Sequence, residues 1–136
     1  MSLKIPRALL AQMEQHAGDS YPEECCGLLG GTDSVVHTTV QMKNTHQEPK
    51  RRRFLIGPHE FLHAEKELHA QGLDVLGFYH SHPDHPAQPS QYDVDYAWPW
   101  YTYLILSLTG RRVQSWTAWV LNDARSQFQE MEVELI

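Results

Sequence analysis

An α+β domain with a mixed or antiparallel sheet is what the sequence predicts. Three observations predict it: two helix-period segments ended by glycine, a set of short apolar or alternating runs, and a closing run that alternates strictly. Residues 6–18 read as a helix, with Leu9, Leu10 and Met13 at helical spacing and Gly18 as its stop. Tyr21-Pro22-Glu23 is a connector. Glu24–Gly30 is a short apolar run expected as a buried strand, and Val35–Lys43 alternates with Val36, Val40 and Met42 on one side. Arg53–Ile56 reads as a short strand. Pro58 then opens a helix that runs to about Gly72. Asp74–Ser81 is the next strand. Pro83, Pro86 and Pro89 stiffen the loop after it, and Ser90 begins a helix through about Trp98. Tyr101–Leu108, Val113–Leu121 and Phe128–Leu135 close the chain as strands. In the last, Met131, Val133 and Leu135 face inward, while Glu130, Glu132 and Glu134 face solvent.

Composition narrows the function. The 136 residues suit one domain, 1–136, and 41% hydrophobic with 21% charged residues is the balance of a soluble globular chain. No apolar run is long enough to span a bilayer, and the N-terminus lacks the apolar core of a signal peptide. The expected address is the cytoplasm, with no membrane partner. Cys25 and Cys26 are adjacent and have no other partner, so no disulfide framework is expected. A net charge of −6 argues against a nucleic-acid partner, and the short basic run Lys50-Arg51-Arg52-Arg53 reads as a solvated stretch. Nine histidines are many for this length. His80, His82 and His85 cluster, and His59, His63 and His69 share one helix. Clustered histidines point to metal chemistry.

The chemistry-bearing pattern is His80-Ser81-His82-Pro83. In a strand, side chains two apart share a face, so two imidazoles there can converge on one ion. The apolar run Leu76-Gly77-Phe78-Tyr79 supplies a rigid support. Asp93, eleven residues past His82 and in a helix's first turn, can return as a third ligand. Two histidines and an aspartate leave a fourth position for water, which is the pattern of a catalytic rather than a closed zinc site. Asp93 has an equally good structural reading. Ser90-Gln91-Tyr92-Asp93 resembles a capping box, with Asp93 reaching back to the helix start. A zinc hydrolase also needs a base for the water proton. Glu23 or Glu24, entering the apolar strand, would serve, and periodicity does not choose between them.

Two decoys stand beside this site. His59-Glu60-Phe61-Leu62-His63 fits the H-E-x-x-H zincin pattern. The two histidines fall within about 40° on a helical wheel, roughly opposite Phe61, Ala64 and Leu68, so a core-facing Phe61 would send both into water. Cys25 and Cys26 suggest a thiol nucleophile, yet in an apolar strand they read as small hydrophobes.

His80-Ser81-His82-Pro83 followed by Pro89-Ser90-x-x-Asp93 resembles the JAMM signature of the JAB/MPN+ metallopeptidases. Glu24-Cys25-Cys26-Gly27-Leu28-Leu29 is similar to the family's upstream glutamate strand, so the resemblance selects Glu24 over Glu23. Phe54-Leu55-Ile56-Gly57-Pro58 and Gly72–Gly77 are similar to the small bacterial members, with Gly57 standing where those relatives often carry aspartate. The resemblance spans residues 5 to 135. It implies a cytidine-deaminase-like (MPN/JAB) fold, a mixed sheet flanked by helices, with one zinc per chain. It also implies His80, His82 and Asp93 as zinc ligands, Glu24 as the base and Ser90 as the oxyanion donor. The implied substrates are peptide or isopeptide bonds at the Gly-Gly tail of ubiquitin-like proteins. For a chain this compact the favoured partner is a sulfur carrier, its extended Gly-Gly tail expected to lie along a sheet edge as an added strand. The rival readings are a non-catalytic MPN-type interaction module, a zinc that only stabilises the fold, and the zincin.

Overall fold

The computed structural model describes residues 2–47, 50, 53–121 and 127–136. Chain order is β1 (Ser2–Ile5), α1 (Arg7–Ser20), β2 (Cys26–Thr32), β3 (Val35–Met42), α2 (Pro58–Ala70), β4 (Asp74–Pro83), α3 (Gln91–Tyr96), β5 (Thr102–Thr109), β6 (Arg112–Leu121) and β7 (Phe128–Leu135). The strands close into a barrel in the order β1-β3-β2-β4-β5-β6-β7. The sheet is mixed, as expected: β4 and β5 are parallel, as are the pairs that β1 makes with β3 and β7, and the rest are antiparallel.

Two expectations are corrected. The sheet closes into a barrel, where a mixed sheet flanked by helices was expected, because β1 links β3 to β7. That strand was not foreseen: Leu3 and Ile5 alternate inward, but over four residues such a period cannot be told from the run into a helix. Residues 53–57 form no strand; they are an irregular approach to α2. Of the basic run, Arg51 and Arg52 lie outside the described residues.

Alternation along β4 divides the interior. Tyr79 points into the main core with Leu3, Ile5, Leu29, Leu104 and Leu106, where α1 inserts Leu10, Met13 and Ala17 at helical spacing. The Tyr79 ring lies across Gly27, where a Cβ would meet it at 2.2 Å, and its hydroxyl reaches His16 Nδ1 at 2.7 Å. Phe78 points the other way. It joins a cluster under α2 (Leu28, Ala64, Leu68) to a cluster around Ala97, Tyr103 and Leu121. His80 and His82 continue that second face. At least roughly a dozen residues must connect adjacent parallel strands, and the β4–β5 crossover is the segment that carries α3. No helix among the described residues is long and apolar enough to cross a membrane.

Candidate active site

The site forms at the C-terminal end of β4. His80 and His82 are each 1% exposed, and their Nε2 atoms lie 3.1 Å apart. Ser81, on the opposite face, locks β4 to the start of β2: Cys25 N–H donates to Ser81 Oγ at 2.8 Å. After Pro83 the chain turns through Asp84, at φ 59°, a left-handed conformation that aspartate adopts more readily than most residues. Here the Asp84 carboxylate accepts from Tyr21 Oη at 2.5 Å and from Gly110 N–H at 2.8 Å. Ser107 donates to His85 O at 2.6 Å, and Thr117 donates to Ala87 O, so the proline loop is pinned onto β5 and β6.

That loop delivers Asp93, and the two readings of this residue prove compatible. The capping box is complete. Asp93 N–H donates to Ser90 Oγ at 3.1 Å, and Ser90 N–H donates to Asp93 Oδ2 at 2.9 Å. The same Oδ2 lies 3.0 Å from His82 Nε2 and 3.3 Å from His80 Nε2. Burial works to raise the Asp93 pKa, but the two imidazoles overcome it and hold the carboxyl well below the usual range.

Three donor atoms thus form a triangle with sides of 3.0, 3.1 and 3.3 Å. Zinc bonds of about 2.0–2.1 Å at tetrahedral angles set ligand atoms about 3.3 Å apart, so the triangle has the size of a zinc site. The tautomer of His82 fits as well. Its Nδ1 lies 2.8 Å from Pro86 O, where an N–H belongs, which leaves the Nε2 lone pair for a cation. Three converging acceptors repel one another unless a proton or cation lies among them.

Glu24 closes the site from the segment that leads into β2. It is 2% exposed, while Glu23 is exposed. A carboxylate oxygen of Glu24 lies within 4.8 Å of ring nitrogens of His82 and His85. Burial, then the neighbouring Asp93 charge, pushes its pKa up to about 9. Its Oε1 has no hydrogen-bond partner among the described residues. A buried carboxyl near but outside the donor triangle is well placed to exchange protons with a water there.

All five sequence-selected positions, Glu24, His80, His82, Ser90 and Asp93, therefore meet in one place. The decoys do not. His59 and His63 are exposed, Ala64 and Leu68 face the core, and His63 Nε2 pairs with Glu67 one turn on at 3.2 Å. Cys25 and Cys26 are free and buried, and desolvation pushes the Cys25 thiol up to about 12 and Cys26 upward as well, so neither supplies a thiolate. Two neighbours escaped the sequence reading. Phe54 stacks on His80 at 4.5 Å, and His85 stacks on His82 at 4.1 Å. His85 was visible in the histidine cluster, whereas the segment holding Phe54 was noticed without any sign that its ring would cover His80.

A cavity of about 680 Å³ opens from the site between α2 and α3, and His80 and Asp93 are part of its wall. Six large hydrophobics are exposed among the described residues, and five of them line this cavity: Leu55, Leu62, Tyr96, Trp98 and Trp100. The exposed apolar surface is thus gathered beside the donor triangle, as at a binding cleft.

A closed mixed barrel with two histidines, an aspartate and a buried carboxyl at one strand end is the architecture of a metallohydrolase. Residues 6–122 match the family described as prokaryotic homologs of the JAB domain. The chain belongs to this family, as a small bacterial-type member, and is a hydrolytic enzyme. It is 32% identical over 130 residues to a desampylase of Haloferax volcanii, covering 93% of this chain and 88% of that one. It is 36% identical over 110 residues to a probable TtuB-protein conjugate cleaving protease of Thermus thermophilus, covering 81% and 73%. A protein of Desulfitobacterium hafniense, solved in solution, superposes with a TM-score of 0.86 at 31% identity, covering 100% of this chain and 93% of that one.

Proposed function

We propose that this chain, as a single JAMM/MPN+ domain, hydrolyses peptide or isopeptide bonds at the C-terminal Gly-Gly tail of a ubiquitin-like protein, a sulfur carrier in particular. The observation that carries the reading is the 3.0–3.3 Å donor triangle of His80, His82 and Asp93 with the buried Glu24 carboxyl beside it. His80, His82 and Asp93 would hold one zinc per chain. Bound there, zinc supplies an electrophile that acidifies water and polarises a carbonyl. Glu24 takes a proton from the attacking water as the C–O bond forms, and returns it to the leaving amine as the C–N bond breaks. Ser90 Oγ already accepts from Asp93 N–H, which leaves its O–H to donate to the oxyanion of the tetrahedral intermediate.

A protein substrate is supported by the names of the relatives, a desampylase and a conjugate-cleaving protease. It is also supported by the cleft, whose aromatic walls suit an extended tail that reaches the site end-on. Free buried Cys25 and Cys26 suit a reducing, cytoplasmic address. The test is a Gly-Gly-extended carrier from the same genome, fused or conjugated to a reporter through its tail. Zinc-loaded wild type is expected to cut after Gly-Gly, and Glu24→Gln to lose at least about 10³-fold of the rate while still binding metal. Failure to cut any such carrier would sink the substrate assignment. An equally active Glu24→Gln would sink the base.

A further inference from the structure

Glu24 poses a positioning problem. Among the described residues its buried Oε1 has no hydrogen-bond partner, so its own side-chain bonds do not fix where the carboxyl points. The orientation must come from packing and from the backbone. That backbone is held on both sides by the connection between β3 and α2. Glu24 N–H donates to Lys50 O at 2.7 Å, and Glu24 O accepts from Asn44 Nδ2 at 3.1 Å.

Asn44 does more than this. Its Nδ2 also donates to Arg53 O at 3.0 Å, and its Oδ1 accepts from His46 N–H at 3.0 Å and Leu55 N–H at 3.1 Å. Two donors and two acceptor sites are the full capacity of a carboxamide, and all four are used. Arg53 and Leu55 are the two neighbours of Phe54, whose ring stacks on His80 at 4.5 Å. Phe54 O in turn accepts from Tyr92 Oη at 3.2 Å, one residue before Asp93. One side chain therefore reaches the base through Glu24 O, and grips the peptide on both sides of the ring that covers a proposed ligand.

We infer that Asn44 is a positioning residue for the hydrolysis: it fixes the Glu24 backbone and holds Phe54 over His80. The inference rests on the reading of Glu24 as the base. A misplacement of about 1 Å at a catalytic group costs about 100-fold in rate, so a hub of this kind acts on kcat rather than on substrate affinity.

The test uses Asn44→Asp, which is nearly isosteric, keeps the acceptor oxygen for His46 and Leu55, and loses both donors. Asn44→Ser repeats it without added charge, should the aspartate prevent folding. Thr45→Ala is the comparison, because Thr45 Oγ1 donates to Leu55 O at 2.9 Å in the same segment. On the Gly-Gly carrier fusion, Asn44→Asp is expected to lower kcat about 10- to 100-fold, with KM within about twofold and zinc content unchanged. In a Glu24→Gln background it should lower kcat less than about twofold further, because the two act as one unit. Thr45→Ala should stay within about twofold of wild type. Amide exchange of Glu24 should rise in Asn44→Asp while Leu55 stays protected, a readout that needs no turnover. The inference is overturned if Asn44→Asp keeps wild-type kcat, if Thr45→Ala matches it, or if the Glu24 amide stays as protected as before. A fully active Glu24→Gln would instead overturn the base, and is seen separately.

Discussion

Two pairs of histidines, on α2 and on β4, begin from similar sequence patterns and end in opposite surroundings. His59 and His63 are four apart on a helix and His80 and His82 two apart on a strand, so each pair shares a face. The helical pair lies on the solvent side, where the His63 side chain is 76% exposed and settles for Glu67 as a partner. The strand pair is 1% exposed, with an aspartate oxygen within 3.3 Å of both rings. Shared facing is therefore not enough for a metal site. The facing surface must also be covered, and a third donor must be carried to it.

That contrast is broken or sharpened most strongly by metal content. Asp93→Ala is expected to lose most of its zinc by elemental analysis, and activity by at least about 10³-fold, while His63→Ala keeps both. The reverse pattern would move the metal to α2. His63→Ala should also leave stability within about 0.5 kcal/mol, the worth of an exposed pair one turn apart. Ser90→Ala comes next. Losing an oxyanion donor is expected to cost about 10²-fold in kcat, and losing the cap about 1 kcal/mol in denaturant unfolding. A fall in stability with unchanged kcat would leave Ser90 as a cap alone.

The last contrast is a pH dependence confined to the strand site. In metal-free protein the Glu24 pKa is raised from 4.5 to about 9, so the folded state holds a proton that the unfolded state releases. This stabilisation is full below about pH 4.5 and is lost as pH rises through about 9, with a slope of up to about 1.4 kcal/mol per pH unit. Asp93 runs the other way: its contribution is present above about pH 4 and lost on acidification. Urea unfolding of metal-free Glu24→Gln should show a flatter profile between about pH 5 and 9 than wild type. Parallel profiles would show that Glu24 is not the group responsible.

Much of this was legible before folding, for reasons that differ by residue. His80 and His82 were readable because strand period is two and the next turn is rich in proline. Glu24 was not separable from Glu23 by period, and burial is what separates them. The ligand-or-cap question for Asp93 was undecidable from spacing because one oxygen completes the cap and also faces both imidazoles. The barrel's closure depended on β1, too short to carry a period of its own. Asn44 and Phe54 act through contacts between segments far apart in sequence, which no local pattern encodes.

The oxygen shared by cap and donor triangle ties local order to occupancy. α3 has six residues, well under the roughly 12–15 that hold a helix together unaided in water. Its first turn is fastened by Asp93 Oδ2, the same atom that faces the two imidazoles. A cation held there would fasten the helix start as well, so part of its binding free energy would be stored as order in the β4–β5 crossover. Chelation would then loosen the wall of the substrate cleft that Tyr92 and Tyr96 provide, and the enzyme would lose its grip on a tail together with its chemistry.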